Sequence, residues 1–347
     1  MSRIRASDIC ASVTDSFMSV QNINIVQLNR PALGIFFICF GTMAIIVNDL
    51  LIKLLSGGYP LHQTIFTRSA IAMVFTLAFV QMEGGWRILK TSTPGIHLMR
   101  GLMVVVANMV YYAAVAVLPL GQVTALFYIA PLFITLLAIP ILGEKVGIWR
   151  MAAIGIGLVG VVIMQEPWKW GAGEWNVILL LPVVSAFFYA IMQVLTRKLG
   201  VSSPASALAV YIQSTFLVVS LGFYIVAGDG RFAEGVENES LQFLLRAWRM
   251  PPVEDWPIFL GLGLCSGIIG YSISAAYRLA DAGTIAPFEY IGLPMAFALG
   301  WVFLGEWPTV PTWIGCALII GAGLLVFLRE QAKDRPMPGR RTRWGRR

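Results

Sequence analysis

An internal duplication constrains the fold of this chain more than any other feature of its sequence. The stretch from residue 99 to residue 164 recurs in the second half, where three landmarks reappear at one constant spacing. The matched positions are Gly121 with Gly283, Tyr128 with Tyr290, and Gly143-Glu144 with Gly305-Glu306. Duplicated apolar units of this kind are typical of transporters.

The composition excludes a soluble globular domain. The chain is 58% hydrophobic and only 12% charged, whereas a soluble domain carries about 25% charged residues. Lipid must therefore be the solvent for most of its surface. Much of the net charge of +7 lies in the arginines of the tail from Arg340 to Arg347. A basic tail beside anionic lipid explains this charge better than nucleic-acid binding does.

Ten apolar segments have the length of about 20 residues that crosses the hydrocarbon core as a helix. We predict an all-α integral membrane protein with spans at about 32–54, 63–82, 96–117, 121–142, 147–165, 175–197, 205–227, 256–278, 283–304 and 310–328. Only Leu118-Pro119-Leu120 separates the third span from the fourth. Pro119 favours two helices over one long helix, because proline removes a backbone hydrogen bond.

The distribution of lysine and arginine predicts that both termini are cytoplasmic, in a bacterial inner membrane. Five spans in each half turn the second copy upside down relative to the first, so we expect two inverted repeats, 32–165 and 175–328. They lie between a tail over 1–31 and a basic tail over 329–347. The outer insertion 228–255 fits either an amphipathic helix on the membrane surface or a plain loop.

The duplicated motifs resemble a known family, the EamA-type repeat of the drug/metabolite transporter superfamily. The resemblance rests on Met99-Arg-Gly, Tyr111-Tyr-Ala-Ala, Leu118-Pro, Pro131, Leu142-Gly-Glu144, Gly155 and Gly160, on Phe303-Leu-Gly-Glu306 and Gly321-Ala-Gly323 in the second copy, and on Arg68. It covers roughly residues 30–330. It implies ten helices, cytoplasmic termini, a central cavity between the halves, and transport of small metabolites without ATP.

Charged side chains inside spans cost several kcal/mol and need a reason. Glu289 is flanked by Pro287, Tyr290 and Gly292 in the ninth span. A desolvated carboxylate there could carry a proton or bind a cationic substrate group; the structural alternative is a hydrogen bond to a neighbouring helix. Asp49 and Arg68, on the first two helices, fit either a gate or a structural ion pair.

Polar and aromatic side chains in the central spans are candidates for binding or coupling. We expect a flat or aromatic solute, held by stacking and hydrogen bonds, if these side chains line the cavity. They are Asn108, Tyr112, Tyr128, Gln193, Tyr211, Gln213, Tyr271, Glu289 and Tyr290.

The sequence holds no catalytic or ATP-binding motif, so we expect no enzyme activity, no cofactor and no metal site. The leading hypothesis is a secondary transporter that exports a small amino-acid-like or aromatic metabolite by alternating access. The alternative is an importer of a cofactor-like solute such as riboflavin or S-adenosylmethionine. A non-transporting sensor or a membrane-embedded enzyme is the distant alternative. Proton coupling and a homodimer stay open.

Overall fold

The computed structural model is all-helical over the residues that it describes, which are 31–91, 93–143, 147–166, 168, 177–199, 205–279 and 288–334. A helix satisfies its own backbone hydrogen bonds, as hydrocarbon requires. The α-helices are α1 (Pro31–Ser56), α2 (Leu61–Glu83), α3 (Pro94–Val115), α4 (Leu120–Phe127), α5 (Ala130–Leu142), α6 (Ile148–Gln165), α7 (Leu181–Leu199), α8 (Ala205–Ala227), α9 (Glu239–Leu245), α10 (Trp256–Leu279), α11 (Gly292–Leu304) and α12 (Val310–Asp334).

Within the described ranges, seven helices are long and apolar enough to cross a membrane when α4 and α5 are counted as one, and three shorter apolar helices lie in α6, α11 and α12. Each of them overlaps one of the predicted spans. The protein is therefore an integral membrane protein of the predicted all-α class. We define the outer end of each helix as the end that the distribution of lysine and arginine predicts to lie outside the cell.

Proline and glycine set many of the helix boundaries. Pro31 and Pro94 stand at the first helical position, where the missing N–H costs nothing. Gly143 and Gly305 end α5 and α11 with φ of 70° and 68°, a left-handed conformation that favours glycine. These two glycines are a matched pair of the duplication, so both copies end this span in the same way.

The fourth span departs from the single helix predicted over 121–142. It is interrupted at Tyr128 and Ile129, between α4 and α5. Pro131 follows directly and has no N–H to donate to the carbonyl of Phe127, so the regular ladder is broken there. In the second half a turn at Tyr290 and Ile291 precedes α11, with Pro294 just beyond it. Both copies thus have a discontinuity at the matched tyrosine.

Each helix packs mainly against helices from the other half of the chain. The first helix of each half packs along the third helix of the other, which gives the pairs α1–α10 and α7–α3. Exchanging the two halves of the chain likewise relates the pair α2–α10 to the pair α8–α3. It also relates the pair α11–α1 to the pair α5–α7. The pairs α2–α8 and α6–α12 map onto themselves, and α4 of the fourth span packs against α11 of the ninth. This is the packing that a two-fold relation between the copies requires.

The insertion 228–255 forms an ordered cap on the outer helix ends. The short helix α9, capped by the Asn238 side chain, buries Phe243, and Ser240 donates to the carbonyl of Ala113 at 2.7 Å. Beyond α9, Gln63 Nε2 donates to the carbonyl of Arg249, and the Arg249 N–H donates back to Gln63 Oε1. The segment therefore contains a short helix that packs against α2 and α3.

Tyr59, in the turn between α1 and α2, holds the end of this cap. The Arg249 guanidinium lies over its ring at 4.5 Å, and its hydroxyl donates to Asp255. Burial, assisted by the carboxylate of Asp255, raises the pKa of Tyr59. The phenol therefore stays protonated, so it continues to donate this hydrogen bond over the physiological pH range.

Candidate functional site

A buried carboxylate on α1 is held by two tyrosines of α3. Tyr111 donates to Asp49 Oδ2 and Tyr112 donates to Asp49 Oδ1, each at 3.0 Å, and Asn48 Nδ2 approaches Oδ1 at 3.4 Å. The consecutive tyrosines reach both oxygens of one carboxylate. Asp49 is 4% exposed, and these donors replace the water that a carboxylate otherwise needs.

The hydroxyl of Tyr112 joins this carboxylate to the arginine of α2. It accepts from Asn48 Nδ2 at 3.0 Å and from Arg68 Nη1 at 3.3 Å while it donates to Asp49. The Arg68 guanidinium also lies over the rings of Tyr112 and Phe216, at 5.8 and 5.4 Å. Asp49 and Arg68, predicted as a gate or a structural ion pair, are thus connected through a phenol. Their role stays a prediction.

An aromatic chain leads from this centre to α7 in the second half. Phe127 contacts the rings of Tyr111 and Tyr189, with centroids 5.2 and 5.3 Å apart. Gln193 Nε2 donates to the Tyr189 hydroxyl at 2.6 Å. Gln193, a predicted site residue, therefore faces the same interior as Tyr112.

The two discontinuities meet each other. The Tyr128 hydroxyl donates to the backbone carbonyl of Glu289 at 3.0 Å, and the rings of Tyr128 and Tyr290 are 5.5 Å apart, edge to face. A Cβ at Gly292 would overlap the Tyr128 hydroxyl, and one at Gly323 would overlap the Tyr290 hydroxyl. These glycines make room for the tyrosines, which brings Tyr128, Glu289 and Tyr290 together as predicted site residues.

A charged contact closes the outer end of the site. Lys53 Nζ lies 2.6 Å from Glu306 Oε1 and also donates to the carbonyl of Leu118. The Leu120 N–H donates to Glu306 Oε2 at 2.7 Å. The end of α1, the α3–α4 turn and the end of α11 are thus tied at one point, which we call the outer latch.

Four predicted site residues lie elsewhere. Asn108 donates to the carbonyl of Val104 on its own helix. Tyr211 lies near the inner end, where its hydroxyl donates to the carbonyl of Leu89. Gln213 and Tyr271 line a small crevice between α2, α8 and α10. The contacts of these four residues do not include Asp49, Arg68 or Tyr112, which we call the Asp49 centre.

The structure brings several residues to the site that the sequence pattern does not single out. Asn48 is one of them, although it directly precedes the predicted Asp49. Tyr189 carries no comparable signal. The pairing of Lys53 with Glu306 could not be predicted, because their contact joins parts of the chain that are distant in sequence.

Comparisons with known proteins agree with this architecture. Residues 32–165 match the EamA-like transporter family. A riboflavin transporter of Rhizobium johnstonii is 29% identical, over 89% of this chain and 96% of that protein. An S-adenosylmethionine uptake transporter of Rickettsia bellii is 24% identical, over 88% and 96%. A solved crystal structure has the same fold with a TM-score of 0.56 and 21% identity, covering 86% of this chain and 97% of that one.

The apolar helices, the family match and the relatives named as transporters together support a multi-pass membrane transporter rather than an enzyme. More narrowly, the match of residues 32–165 to the EamA-like transporter family and the similarity to riboflavin and S-adenosylmethionine transporters support the drug/metabolite transporter superfamily.

Proposed function

We propose that this chain imports a planar, cofactor-like solute, riboflavin or S-adenosylmethionine, as a secondary transporter. The observation that carries the proposal is the alignment of 89% of this chain with nearly the whole of a riboflavin transporter. The S-adenosylmethionine uptake transporter aligns over a similar share at lower identity. These relatives favour the importing alternative over the expected export of an amino-acid-like solute.

The polar centre supports a solute with a flat ring. The rings of Tyr112, Tyr111, Phe127 and Tyr189 contact one another in series beside the Asp49 carboxylate. Aromatic rings bind flat heterocycles by stacking, and hydroxyls at their edges supply hydrogen bonds. The proposed units are the repeats 32–165 and 175–328, with both termini in the cytoplasm of a bacterial inner membrane.

Counterflow in proteoliposomes tests the proposal. Purified protein is reconstituted with unlabelled riboflavin, S-adenosylmethionine or a mixture of amino acids inside, and uptake of the matching labelled solute is followed. We expect exchange of riboflavin or of S-adenosylmethionine, and loss of exchange in Asp49→Asn. Exchange of amino acids alone would contradict the proposal, since it would restore the export hypothesis.

Glu289 is the proposed proton-coupling group, because it lies half-buried at the discontinuity of the ninth span. A carboxylate that carries the coupled proton makes uptake depend on pH. Glu289→Gln should therefore keep counterflow while losing the pH dependence of net uptake. Unchanged pH dependence in this variant would remove the role from Glu289. The homodimer stays a prediction.

A further inference from the structure

Within the described part of the chain, two of the buried polar atoms that have no hydrogen-bond partner belong to side chains around Tyr112. They are Asn48 Oδ1, on a residue 2% exposed, and Arg68 Nε, on a residue 6% exposed. The remaining contacts of both side chains converge on one atom, the Tyr112 hydroxyl. The unpartnered acceptor and the unpartnered donor therefore belong to two side chains that bond to the same phenol.

An unpartnered buried polar atom costs about 1–3 kcal/mol, and polar groups at membrane depth commonly mark substrate pathways. Other atoms of this kind among the described residues include those of His62 and Trp248 at the cap, those of His97 at the start of α3, and Oγ of Ser69 next to Arg68 on α2. Asn48 Oδ1 and Arg68 Nε are an acceptor and a donor whose side chains both bond to the Tyr112 hydroxyl beside the Asp49 carboxylate.

We propose that Asn48 Oδ1 and Arg68 Nε together recognise the hydrogen-bonding edge of a planar heterocycle. An N–H of the ring donates to Asn48 Oδ1, and the adjacent carbonyl or ring nitrogen accepts from Arg68 Nε. The imide edge of a flavin and the amino edge of an adenine both offer a donor beside an acceptor. This inference rests on the proposed function and adds which atoms of the solute the protein recognises by hydrogen bonds.

The rings around Arg68 explain how its donor is held in place. Phe216 on α8 and Tyr112 on α3 both lie against the guanidinium, and an arginine stacked in this way keeps a fixed plane. Asn48 is fixed by its bonds to Tyr112 and Asp49. Both groups are thus oriented before the solute arrives, which reduces the entropy lost on binding.

A competition assay in proteoliposomes tests the inference. In one assay, labelled riboflavin competes with unlabelled riboflavin or with riboflavin methylated at the imide nitrogen. In the other, labelled S-adenosylmethionine competes with unlabelled S-adenosylmethionine or with its N6-dimethylated analogue. For the solute that the wild type transports, the methylated competitor should be roughly 10- to 100-fold weaker. In Asn48→Leu this difference should fall to less than about threefold, because the acceptor is gone.

Gln165→Met is the matched control, since Gln165 also carries a buried unpartnered oxygen but bonds to the carbonyl of Leu179, outside the central network. It should discriminate as the wild type does. Arg68→Lys keeps the charge, and it should weaken the binding of both competitors by the same factor. The difference in binding between the parent and the methylated solute should remain, because Asn48 is still present. A wild type that binds parent and methylated solute equally would overturn the inference alone. A wild type that transports neither solute would overturn the proposed function as well.

Discussion

Neutralising Glu306 should open the outer side of the transporter. In Glu306→Gln, Lys53 loses its ionic partner and the Leu120 N–H loses a charged acceptor. Breaking a fully buried pair costs about 3–5 kcal/mol, and an exposed pair contributes about 0.2–1 kcal/mol. The side chains of Lys53 and Glu306 are 11% and 20% exposed, so solvent screens part of the attraction. A loss of about 1–2 kcal/mol follows.

That loss acts on the balance between the conformation closed at the outer side and the open one. A change of about 1–2 kcal/mol shifts such an equilibrium roughly 5- to 30-fold. The measurement is the labelling rate of a cysteine placed at Gln122, which lies beneath the latch in a pocket lined by Glu306. The four native cysteines are first replaced, and a membrane-impermeant thiol reagent is added from outside.

We expect labelling of Cys at position 122 to accelerate about 5- to 30-fold in the Glu306→Gln background. Glu237→Gln is the matched control, because Glu237 is an exposed acid of the outer cap, and it should leave the rate unchanged. A labelling rate within twofold of the parent, in protein that still transports, would refute the assignment of Lys53 and Glu306 as the outer latch.

Two further substitutions test the interior. Tyr112→Phe removes the hydroxyl that bonds to Asn48, Arg68 and Asp49. Transport should therefore fall at least tenfold, and thermal unfolding in detergent should show that the free energy of unfolding is lower by about 1–3 kcal/mol. Transport at the wild-type rate would exclude a role of this hydroxyl in transport. Gly323→Ala should abolish transport, because the added Cβ would overlap the Tyr290 hydroxyl. Gly321→Ala is its control and should transport normally, because a Cβ there has no atom within 4 Å.

The spans could be predicted from the sequence because hydrocarbon thickness fixes their length and because proline and glycine mark their ends. The ends of α8 at Ala205 and Ala227 coincide with the predicted span. The interruption at Tyr128 was harder to predict, since the apolar run continues through it and only the missing N–H of Pro131 breaks the helix. Length and hydropathy do not record such a local loss of one hydrogen bond.

The composition of the site could be predicted only in part, because residue type does not determine which way a helix faces. Tyr112 and Tyr211 look alike in sequence, yet Tyr112 joins Asp49 to Arg68 and Tyr211 lies near the inner end beside His97. Their placement depends on how α3 and α8 rotate against neighbouring helices, which tertiary packing decides. The outer latch was missed for the same reason.

The interleaved packing determines which parts of the protein can move against each other. We group α1, α2, α10 and α11 as one bundle and α3, α4, α5, α7 and α8 as the other, with α2 packed against α8 between them, so each bundle draws helices from both halves of the sequence. The bonds of Asp49 and Arg68 to Tyr112, and of Glu306 to Leu120, join one bundle to the other. Alternating access by movement of these mixed bundles would make and break the polar contacts of the site.

A cross-link distinguishes this movement from a rocking of the sequence halves. A Cβ at Gly41 on α1 would lie 3.1 Å from Cβ of Ser272 on α10, near the spacing of about 3.5–4.5 Å in a disulfide. Gly41→Cys with Ser272→Cys therefore ties the first half of the chain to the second, within one bundle. If mixed bundles move, the oxidised protein should keep at least half of its counterflow activity. If the sequence halves move as rigid units, oxidation should stop transport and reduction should restore it.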